Sequence, residues 1–285
     1  MGEDGSAIHW LKPAASRSAR MMSALALGMV ILGVVSAVLL RSAPGGRGAA
    51  AISKERARDL RVPDPVAPLF AAPDPRPIRP DKWDSVWAII ERPTPVQARP
   101  APDSRVVGRL STVTPEGTDN LVQIFDREVG LDDRLWVRVS FPSLPNGVAG
   151  WVPRDALGGY GMVHTRLVID LGALNARLYD KGRMVFESPI GIGEPQWPTP
   201  IGDFYVRNRL TGFGDPFYGP VAFGTSARSS VLTDWPAGGF VGIHGTDRPE
   251  LVPGLVSHGC VRMRNRDILK LDRLMPVGTP VTIRP

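Results

Sequence analysis

The sequence predicts a mainly β protein that begins with one transmembrane helix, and three features of the chain indicate this. From residue 83 onward, short runs of β-branched and aromatic residues alternate with Gly, Pro and Asn, as in proteins built from many short strands. Residues 21–40 form an uninterrupted apolar run that is long enough to cross about 30 Å of hydrocarbon as a helix. A Pro-rich stretch at 41–80 separates the two regions. We therefore expect an anchor, a linker and folded β domains.

The apolar run at 21–40 sets the expected topology. Residues 1–20 carry three basic residues, and basic residues stay on the cytoplasmic side of a first transmembrane helix. This predicts a cytoplasmic tail at 1–20, a single-pass anchor in the cell membrane, and a remainder on the periplasmic or cell-wall side. The alternative is a cleaved signal peptide, for which Val35-Ser36-Ala37 is a suitable cleavage site. In both cases the rest of the chain is exported.

Residues 41–80 are predicted to be a linker. Seven prolines lie between residues 61 and 80, with almost no apolar periodicity. Such a segment cannot build a core, and it favours an extended polyproline geometry at ~3.1 Å per residue. Its reach is up to roughly 100 Å, which suits a tether between a membrane and a cell wall.

The pattern of residues 81–160 predicts a small β-barrel of five or six short strands. Strands are expected at Trp87–Ile90 and Leu121–Phe125. The run from Leu135 to Phe141 alternates apolar and polar residues, as a half-buried strand does. Asn146-Gly147 supplies the residues that a tight hairpin needs, and a returning strand is expected after it.

The same region resembles bacterial SH3-like modules. The residues that carry the resemblance are Trp136-Val137-Arg138-Val139, Phe141-Pro142, Asn146-Gly147 and Gly150-Trp151-Val152-Pro153. It implies an SH3-like domain at 81–160, with Gly158-Gly159-Tyr160-Gly161 as its boundary. Exposed aromatic rings on such a module suit wall glycan or peptide, but residues such as Trp136 and Trp151 are more often packing residues.

Residues 161–285 are also predicted to be mostly β. The expected strands are, in chain order, Arg166–Leu171, Ala176–Tyr179, Met184–Glu187, Phe204–Leu210, Phe240–Ile243 and Val281–Ile283. Residues 211–239 are rich in Gly, Pro and aromatic residues, and we expect an irregular flap over a substrate there. Asn265 is a suitable cap for one helix. The predicted apolar face of this helix comprises Ile268, Leu271, Leu274 and Met275.

The only cysteine of the chain, Cys260, lies near two of its four histidines. His258 precedes it by two residues and His244 by sixteen. A single Cys with a His brought close by the fold is the arrangement of a thiol nucleophile and its base. The alternatives are a small buried hydrophobe, or a metal site made of these three residues, although they form a poor zinc set.

The stretch around Cys260 resembles the active-site signature of the L,D-transpeptidase catalytic domain, also called the YkuD domain. The matching residues are Ser257-His258-Gly259-Cys260-Val261-Arg262-Met263, preceded by Ile243-His244-Gly245-Thr246. Gly191-Ile192-Gly193 and Thr199–Phe204 are similar to the strand-turn-strand that precedes this signature in the family. The resemblance covers about residues 163–285. It implies a β-sandwich catalytic domain at 161–285 with one or two short helices.

The residues around Cys260 have expected roles in its chemistry. His244 follows a strand and stands across from the nucleophile, so it is the predicted base. His258 is predicted to shape the turn or to line the oxyanion side. The amides of Gly259 and Cys260 are expected to face the developing oxyanion. The resemblance adds that the carbonyl of Gly245 orients the ring of the base.

Three more residues are predicted to bind substrate. Arg262 offers a forked guanidinium to a substrate carboxylate, and Ser257 and Tyr218 complete the set. The resemblance implies that the substrate is a peptidoglycan stem peptide, which releases D-alanine as a thioester forms on the Cys. The amine of a neighbouring stem then resolves the thioester and forms a 3-3 cross-link. No metal and no cofactor are expected.

Other functions fit parts of this sequence. The same site with water as acceptor is an L,D-carboxypeptidase, and a related transferase links a protein to peptidoglycan. A non-catalytic wall-binding protein would keep the SH3-like domain and lose the site. The net charge is +6, but no nucleic-acid motif accompanies the scattered Arg residues. The expected partners are therefore stem peptides and, through the anchor, the membrane, not nucleic acid.

Overall fold

A computed structural model describes residues 82–212, 214–233 and 239–285. Strands dominate these residues and form two hydrogen-bonded sheets within one compact unit, Ala72–Pro285. The predicted mainly β class is confirmed. The predicted tail, transmembrane segment at 21–40 and linker at 41–80 lie outside the described residues. Within the described part of the chain, no helix is both long enough and apolar enough to span a bilayer.

The first sheet has seven antiparallel strands. They are β1 (Ser85–Ile90), β2 (Thr94–Gln97), β3 (Val106–Leu110), β4 (Leu121–Val129), β5 (Leu135–Ser140), β6 (Ala149–Pro153) and β7 (Leu157–Val163). Their order is β3-β2-β6-β5-β4-β1-β7. A 3-10 turn at Arg154–Ala156 joins β6 to β7. The strands predicted at β1, β4 and β5 are present, and the SH3-like assignment stays a prediction.

Two details of this sheet differ from the prediction. The Gly158–Gly161 stretch, predicted as a domain boundary, lies inside β7, where Tyr160 and Gly161 pair with Ala88 and Trp87 of β1. The Asn146-Gly147 pair does not form a two-residue hairpin, since Ser140 and Ala149 are the last paired residues and eight residues lie between them. Trp136 is 1% exposed and is therefore a packing residue.

The second sheet has ten strands. They are β8 (Thr165–Asp170), β9 (Asn175–Asp180), β10 (Arg183–Pro189), β11 (Gly191–Gly193), β12 (Gly202–Thr211), β13 (Val221–Arg228), β14 (Phe240–His244), β15 (Gly254–Ser257), β16 (Val261–Arg262) and β17 (Pro280–Arg284). Their order is β10-β9-β8-β17-β12-β13-β14-β16-β11-β15. Two further 3-10 turns lie at Pro216–Tyr218 and Pro249–Leu251. Each strand predicted in this region is present.

The domain was expected to be a β-sandwich, but its strands form one continuous hydrogen-bonded sheet because of strand β12. Its first part, Gly202–Tyr205, pairs with β17, and its second part, Val206–Thr211, pairs with β13. The strand thus links the β8–β10 half to the half that carries Cys260. Both halves contribute to one buried core, for example through Leu178 and Ile243. Burial of this apolar surface is the main force that stabilises the sheet.

The single α-helix of the described residues is α1 (Asn265–Asp272), packed on the core of the second sheet. Ile268, Leu271 and Met275 are buried as predicted, whereas Leu274 is exposed. The predicted cap is wrong. Asn265 is the first helical residue, and its side chain accepts a hydrogen bond from the amide of Thr246 instead.

The predicted flap at 211–239 contains more regular structure than expected. Strand β13 occupies Val221–Arg228 and pairs with both β12 and β14. Its residues alternate less strictly than a half-buried strand because both faces are covered. The part after Arg228 returns to β14, and its two ends are joined by a hydrogen bond from the Ser229 amide to the Gly239 carbonyl.

Candidate active site

The nucleophile and the predicted base lie on neighbouring parallel strands. In the register of β14 and β16, Ile243 faces Val261 and His244 faces Arg262. One step back along both strands places Cys260 beside Gly242, and the Gly242 amide donates to Cys260 Sγ at 3.4 Å. Because alternate residues share a face, the core receives Ile243 and Val261 while His244 and Cys260 share the other side.

Gly242 keeps the space between the thiol and the imidazole open. A Cβ at this position would lie 3.9 Å from His244 Cδ2 and 4.0 Å from Cys260 Sγ. Any longer side chain would therefore enter the space that the two functional groups share. From the sequence, Gly242-Ile243-His244 was predicted to be the end of a strand. The requirement for glycine at position 242 becomes evident only in the fold, where β16 lies beside β14.

The ring of His244 is held in one orientation. It is 1% exposed, and Nδ1 lies 2.6 Å from the carbonyl oxygen of Gly245. A carbonyl oxygen only accepts, so Nδ1 carries the proton and Nε2 of the neutral ring carries the lone pair. Within the described residues, this buried Nε2 has no hydrogen-bond partner. His244 therefore presents an unused proton acceptor on the strand next to Cys260.

The electrostatics favour a neutral thiol and a neutral imidazole at rest. Burial lowers the pKa of His244 to about 4, against the opposing effect of the Gly245 carbonyl, and the Arg262 charge lowers it as well. Burial raises the pKa of the Cys260 thiol above its ordinary 9.0, although the Gly242 amide and Arg262 act in the opposite direction. Near neutral pH, proton transfer from sulfur to nitrogen must then accompany attack on a substrate.

The turn that carries Cys260 is fixed by two hydroxyl groups. Ser257 Oγ donates to the Cys260 carbonyl at 2.6 Å and accepts from the Gly259 amide at 3.1 Å. Thr199 Oγ1 donates to the Gly259 carbonyl and accepts from the Gly193 amide, both at 2.9 Å. Gly259 has a φ of 110°, which favours glycine.

These bonds correct one predicted role. The Gly259 amide was expected to face the oxyanion, but the Ser257 hydroxyl already accepts its hydrogen bond. Ser257 is 1% exposed, and both of its observed bonds lie within the turn. Its position supports a structural part in the turn more directly than the predicted contact with substrate.

His258 lies outside this buried arrangement. Its side chain is exposed, and its ring lies 4.1 Å from the ring of Trp197, tilted by 39°. It lines the same pocket as Cys260 and His244. Trp197 thus packs against a ring that lines the site.

Two aromatic side chains cover His244 from the 3-10 turn at Pro216–Tyr218. The ring of Tyr218 lies 5.1 Å from the His244 ring, and the ring of Phe217 lies 5.8 Å from it. Burial raises the pKa of Tyr218. Both residues line the pocket, so Tyr218 is placed where a substrate would touch it, as predicted, and it also packs on the base.

Arg262 points its charge into the same pocket. It is 6% exposed, and its guanidinium lies 4.3 Å from the Phe217 ring. Its Nε is buried without a hydrogen-bond partner, and no carboxylate in the described ranges forms an ion pair with it. A buried guanidinium that lacks an internal acceptor is suited to an anionic ligand.

Asn265 holds the turn after His244 in place through a hydrogen bond. Its Oδ1 accepts from the Thr246 amide at 2.9 Å. A Cβ at Gly245 or at Gly219 would collide with this same Oδ1, so both glycines are needed for the close approach. Sequence reasoning missed Asn265, Phe217 and Thr199, because their partners are 19 to 60 residues away and only the fold brings them together.

The alternative of a metal site does not match this geometry. His244 Nδ1 is engaged with Gly245, and the His258 ring stacks on Trp197. Among residues 82–212, 214–233 and 239–285, no group of three His, Cys, Asp or Glu is placed to hold a metal ion.

Comparisons with known proteins agree with the arrangement. Residues 164–283 match the family model of the L,D-transpeptidase catalytic domain, YkuD. The chain is 37% identical over 120 residues to a Bacillus licheniformis protein named L,D-transpeptidase YkuD, covering 42% of this chain and 66% of that protein. It is 30% identical over 206 residues to the probable L,D-transpeptidase YbiS of Escherichia coli K12, covering 64% of this chain and 66% of that protein.

A solved structure is similar over the same region. The NMR structure of the catalytic domain from the E. faecium L,D-transpeptidase is 29% identical, with a TM-score of 0.32, and the match covers 42% of this chain and 96% of that one. The chain thus spans about two thirds of the length of the two curated relatives. Residues 164–283 therefore resemble an L,D-transpeptidase catalytic domain of the YkuD family.

Proposed function

We propose that this protein is a peptidoglycan L,D-transpeptidase in which Cys260 is the nucleophile and His244 the base. The observation that carries the proposal is the unprotonated, unpartnered Nε2 of a buried His244 on the strand next to Cys260, inside a YkuD-family domain. Such a pair performs acyl transfer through a covalent intermediate.

The first half-reaction forms a thioester. His244 Nε2 takes the Cys260 proton as sulfur attacks the carbonyl carbon of the L,D-peptide bond of a stem tetrapeptide. The Cys260 amide is the donor that remains for the oxyanion, since the Gly259 amide is engaged by Ser257. The imidazolium then returns its proton to the leaving amine, and D-alanine departs as the C–N bond breaks.

The second half-reaction consumes the thioester. The amine of a neighbouring stem attacks the thioester carbon and gives its proton to His244. The C–S bond breaks, sulfur recovers the proton, and a 3-3 cross-link remains. Because His244 has a pKa of about 4, it is in the neutral, accepting form whenever each amine or thiol must lose a proton.

Substrate carboxylates are assigned to Arg262. Its buried guanidinium lies over Phe217 and faces the pocket without an ion-pair partner in the described residues. A stem peptide ends in a carboxylate, so it supplies the missing acceptor. Tyr218 and His258 complete the walls along which the peptide is expected to lie.

The location belongs to the same proposal. An anchor at 21–40 would hold the chain in the cell membrane, and the Pro-rich linker would carry the catalytic domain toward the wall. In this arrangement the protein contributes to cell-wall biogenesis and to cell shape. The seven-stranded sheet, if it is an SH3-like module, would lie on the wall side with the catalytic domain.

Mass spectrometry of the intact chain tests the proposed chemistry. After incubation with a stem tetrapeptide, we expect an adduct on Cys260 with the mass of the tripeptide acyl group and release of free D-alanine. The variant Cys260→Ala should show neither. Turnover that persists in Cys260→Ala would refute the nucleophile assignment.

The acceptor is tested separately. With an added stem amine, a transpeptidase converts the acyl-enzyme into a cross-linked dimer, whereas an L,D-carboxypeptidase yields only the free tripeptide. A dimer that forms faster than tripeptide supports the proposal. Tripeptide as the only product, at acceptor concentrations that saturate the rate, would favour the carboxypeptidase instead.

A further inference from the structure

Two loops of the seven-stranded sheet bond to residues that adjoin one wall of the Cys260 pocket. This wall consists of Ser229, Leu232 and Gly239–Val241, which line the pocket together with the catalytic residues. At the base of the wall, Arg228 and Phe240 are register partners in β13 and β14. A hydrogen bond from Ser229 to Gly239 closes the base.

The first contact is made by Asn146, in the loop between β5 and β6. Its Nδ2 donates to the Arg228 carbonyl at 2.8 Å, and its Oδ1 accepts from the Arg228 amide at 3.0 Å. The side chain therefore pairs with both backbone groups of Arg228, as a neighbouring strand would. Asn146 is 82 residues from Arg228 in sequence, so this is a tertiary bond between the two sheets.

The second contact is made by Glu116, in the turn between β3 and β4. Its carboxylate accepts from Arg207 Nη2 at 2.9 and 3.2 Å, and the Arg207 side chain is 1% exposed. The Arg207 guanidinium lies 3.9 Å from the Phe240 ring. Glu116 thus pairs with the buried guanidinium of Arg207, which packs against Phe240. Phe240 is the residue at which the pocket wall enters β14.

Asn208 ties the Glu116 turn to the sheet independently. Its Nδ2 donates to Glu116 Oε2 at 3.1 Å and to Thr118 Oγ1 at 3.1 Å, and its Oδ1 accepts from the Gly224 amide. The turn is therefore held by two side chains of β12 and cannot move away from Phe240 without breaking several bonds. Neither loop touches Cys260 or His244.

We propose that Asn146 and Glu116 are positioning residues for the pocket wall, so that the seven-stranded sheet sets the shape of the pocket around Cys260. Asn146 fixes the wall where it leaves β13, and Glu116 fixes it, through Arg207 and Phe240, where it enters β14. This role rests on the proposed function for the identity of the substrate. It predicts that a defect in either contact alters access and substrate binding rather than the chemistry at the thiol.

The test compares two thiol reagents, because labelling needs no turnover. Cys260 is the only thiol, so iodoacetamide and the bulkier 5,5′-dithiobis(2-nitrobenzoate) report on small and large access. In Asn146→Ala and Glu116→Gln, we expect the ratio of bulky to small labelling rates to rise by about fivefold, the factor that one typical net hydrogen bond represents. General loss of stability also admits the bulky reagent through the unfolded chain, so each ratio is compared with that of a control variant that lacks another bond between the sheets.

The matched control is Tyr205→Phe. It removes another buried bond between the two sheets, from the Tyr205 hydroxyl to the Leu121 carbonyl at 3.2 Å, which does not reach the pocket wall. The labelling ratio of this variant should stay at the wild-type value. An unchanged ratio in both Asn146→Ala and Glu116→Gln, or an equal rise in Tyr205→Phe, would overturn the proposal.

Two further measurements cover poor folding and a wrong substrate. If Asn146→Ala does not fold, Asn146→Asp keeps the acceptor for the Arg228 amide, and hydrogen exchange should then be faster at 229–233 and 239–241 but not at 165–180. Unchanged exchange at the wall would overturn the proposal. With a stem tetrapeptide, KM should rise while kcat stays within about twofold. If the wild type does not turn over this peptide but the labelling ratio shifts, the proposed substrate fails and the positioning role stands.

Discussion

Two histidines lie near Cys260, each in its own turn, and the two rings differ in burial and in hydrogen bonding. His244 is buried, its Nδ1 is fixed by the Gly245 carbonyl, and its Nε2 has no partner in the described residues. His258 is exposed and lies against the Trp197 ring. His258 is nearer to the nucleophile in sequence, yet only the His244 turn sets both the tautomer and a free acceptor. Proximity in sequence is therefore a poor guide to which ring is the base.

The comparison predicts its largest effect on turnover. His244→Gln should reduce the rate of thioester formation by about 10²–10⁴-fold, the usual contribution of a general base. His258→Gln should reduce it by about tenfold or less, because this ring contributes only to the pocket wall. Both rates are measured by the appearance of the Cys260 adduct in intact-mass spectra. A larger loss in His258→Gln would exchange the two roles.

The pH dependence of stability tests the burial of the His244 ring. The pKa of His244 is lowered to about 4 in the folded chain, so the unfolded chain binds a proton there first as pH falls below the ordinary 6.5. The free energy of unfolding should therefore decrease between pH 6.5 and 4, by up to about 3 kcal/mol from this residue alone. Above pH 7 this contribution disappears.

Urea unfolding of wild type and His244→Gln at pH 7 and pH 4.5 measures this effect. The variant should lose less stability than the wild type between the two values, because it has no buried imidazole to protonate. Equal losses in wild type and His244→Gln would mean that the buried ring does not resist protonation.

A smaller effect is expected from the side chain that holds the His244 turn. Asn265→Ala leaves the Thr246 amide without its acceptor, which costs about 1–3 kcal/mol of stability for a buried donor. We also expect an approximately tenfold loss of kcat with little change in KM, since the base is displaced and the pocket is not. Asn175→Ala, which removes an exposed bond to Glu187, should change neither stability nor turnover by a comparable amount.

The smallest effect on turnover is expected for the ring contact between Trp197 and His258. Trp197→Ala removes a ring contact worth about 0.5–1.5 kcal/mol, and Trp197→Phe should retain most of it. Thioester formation should fall by less than fivefold in the Ala variant. The rate of D-alanine release measures this effect in Trp197→Ala and in Trp197→Phe. A loss as large as that of His244→Gln would show that the His258 turn carries more of the chemistry than its exposure suggests.

Local pattern was enough to predict the strands and the residues that meet at the site. Strand β14 was predicted to carry His244 at its end, and β9 and β10 were predicted to pair across a turn, as they do. These features depend on alternation and turn residues within a few positions of each other. The role of the Gly245 carbonyl was implied by the family resemblance and not by the local pattern, and the carbonyl does lie within hydrogen-bond distance of His244 Nδ1.

Features that depend on distant partners were not predictable in the same way. Asn265 was expected to cap its own helix, but the Thr246 amide, which the fold brings beside it, is its actual donor. The Gly259 amide was expected to be free, but the Ser257 hydroxyl engages it. The resting charge state of the pair also depends on the fold. A histidine beside a thiol suggests an ion pair, whereas burial of both groups favours the neutral pair.

The central claim is that His244 is a neutral base, protonated at Nδ1 and free at Nε2. Nitrogen-15 NMR of the histidine rings, with His244→Gln to identify the signals, measures both properties directly. We predict that Nδ1 carries the proton at pH 7 and that the ring becomes doubly protonated only near pH 4. A ring protonated at Nε2, or an imidazolium at neutral pH, would contradict the account.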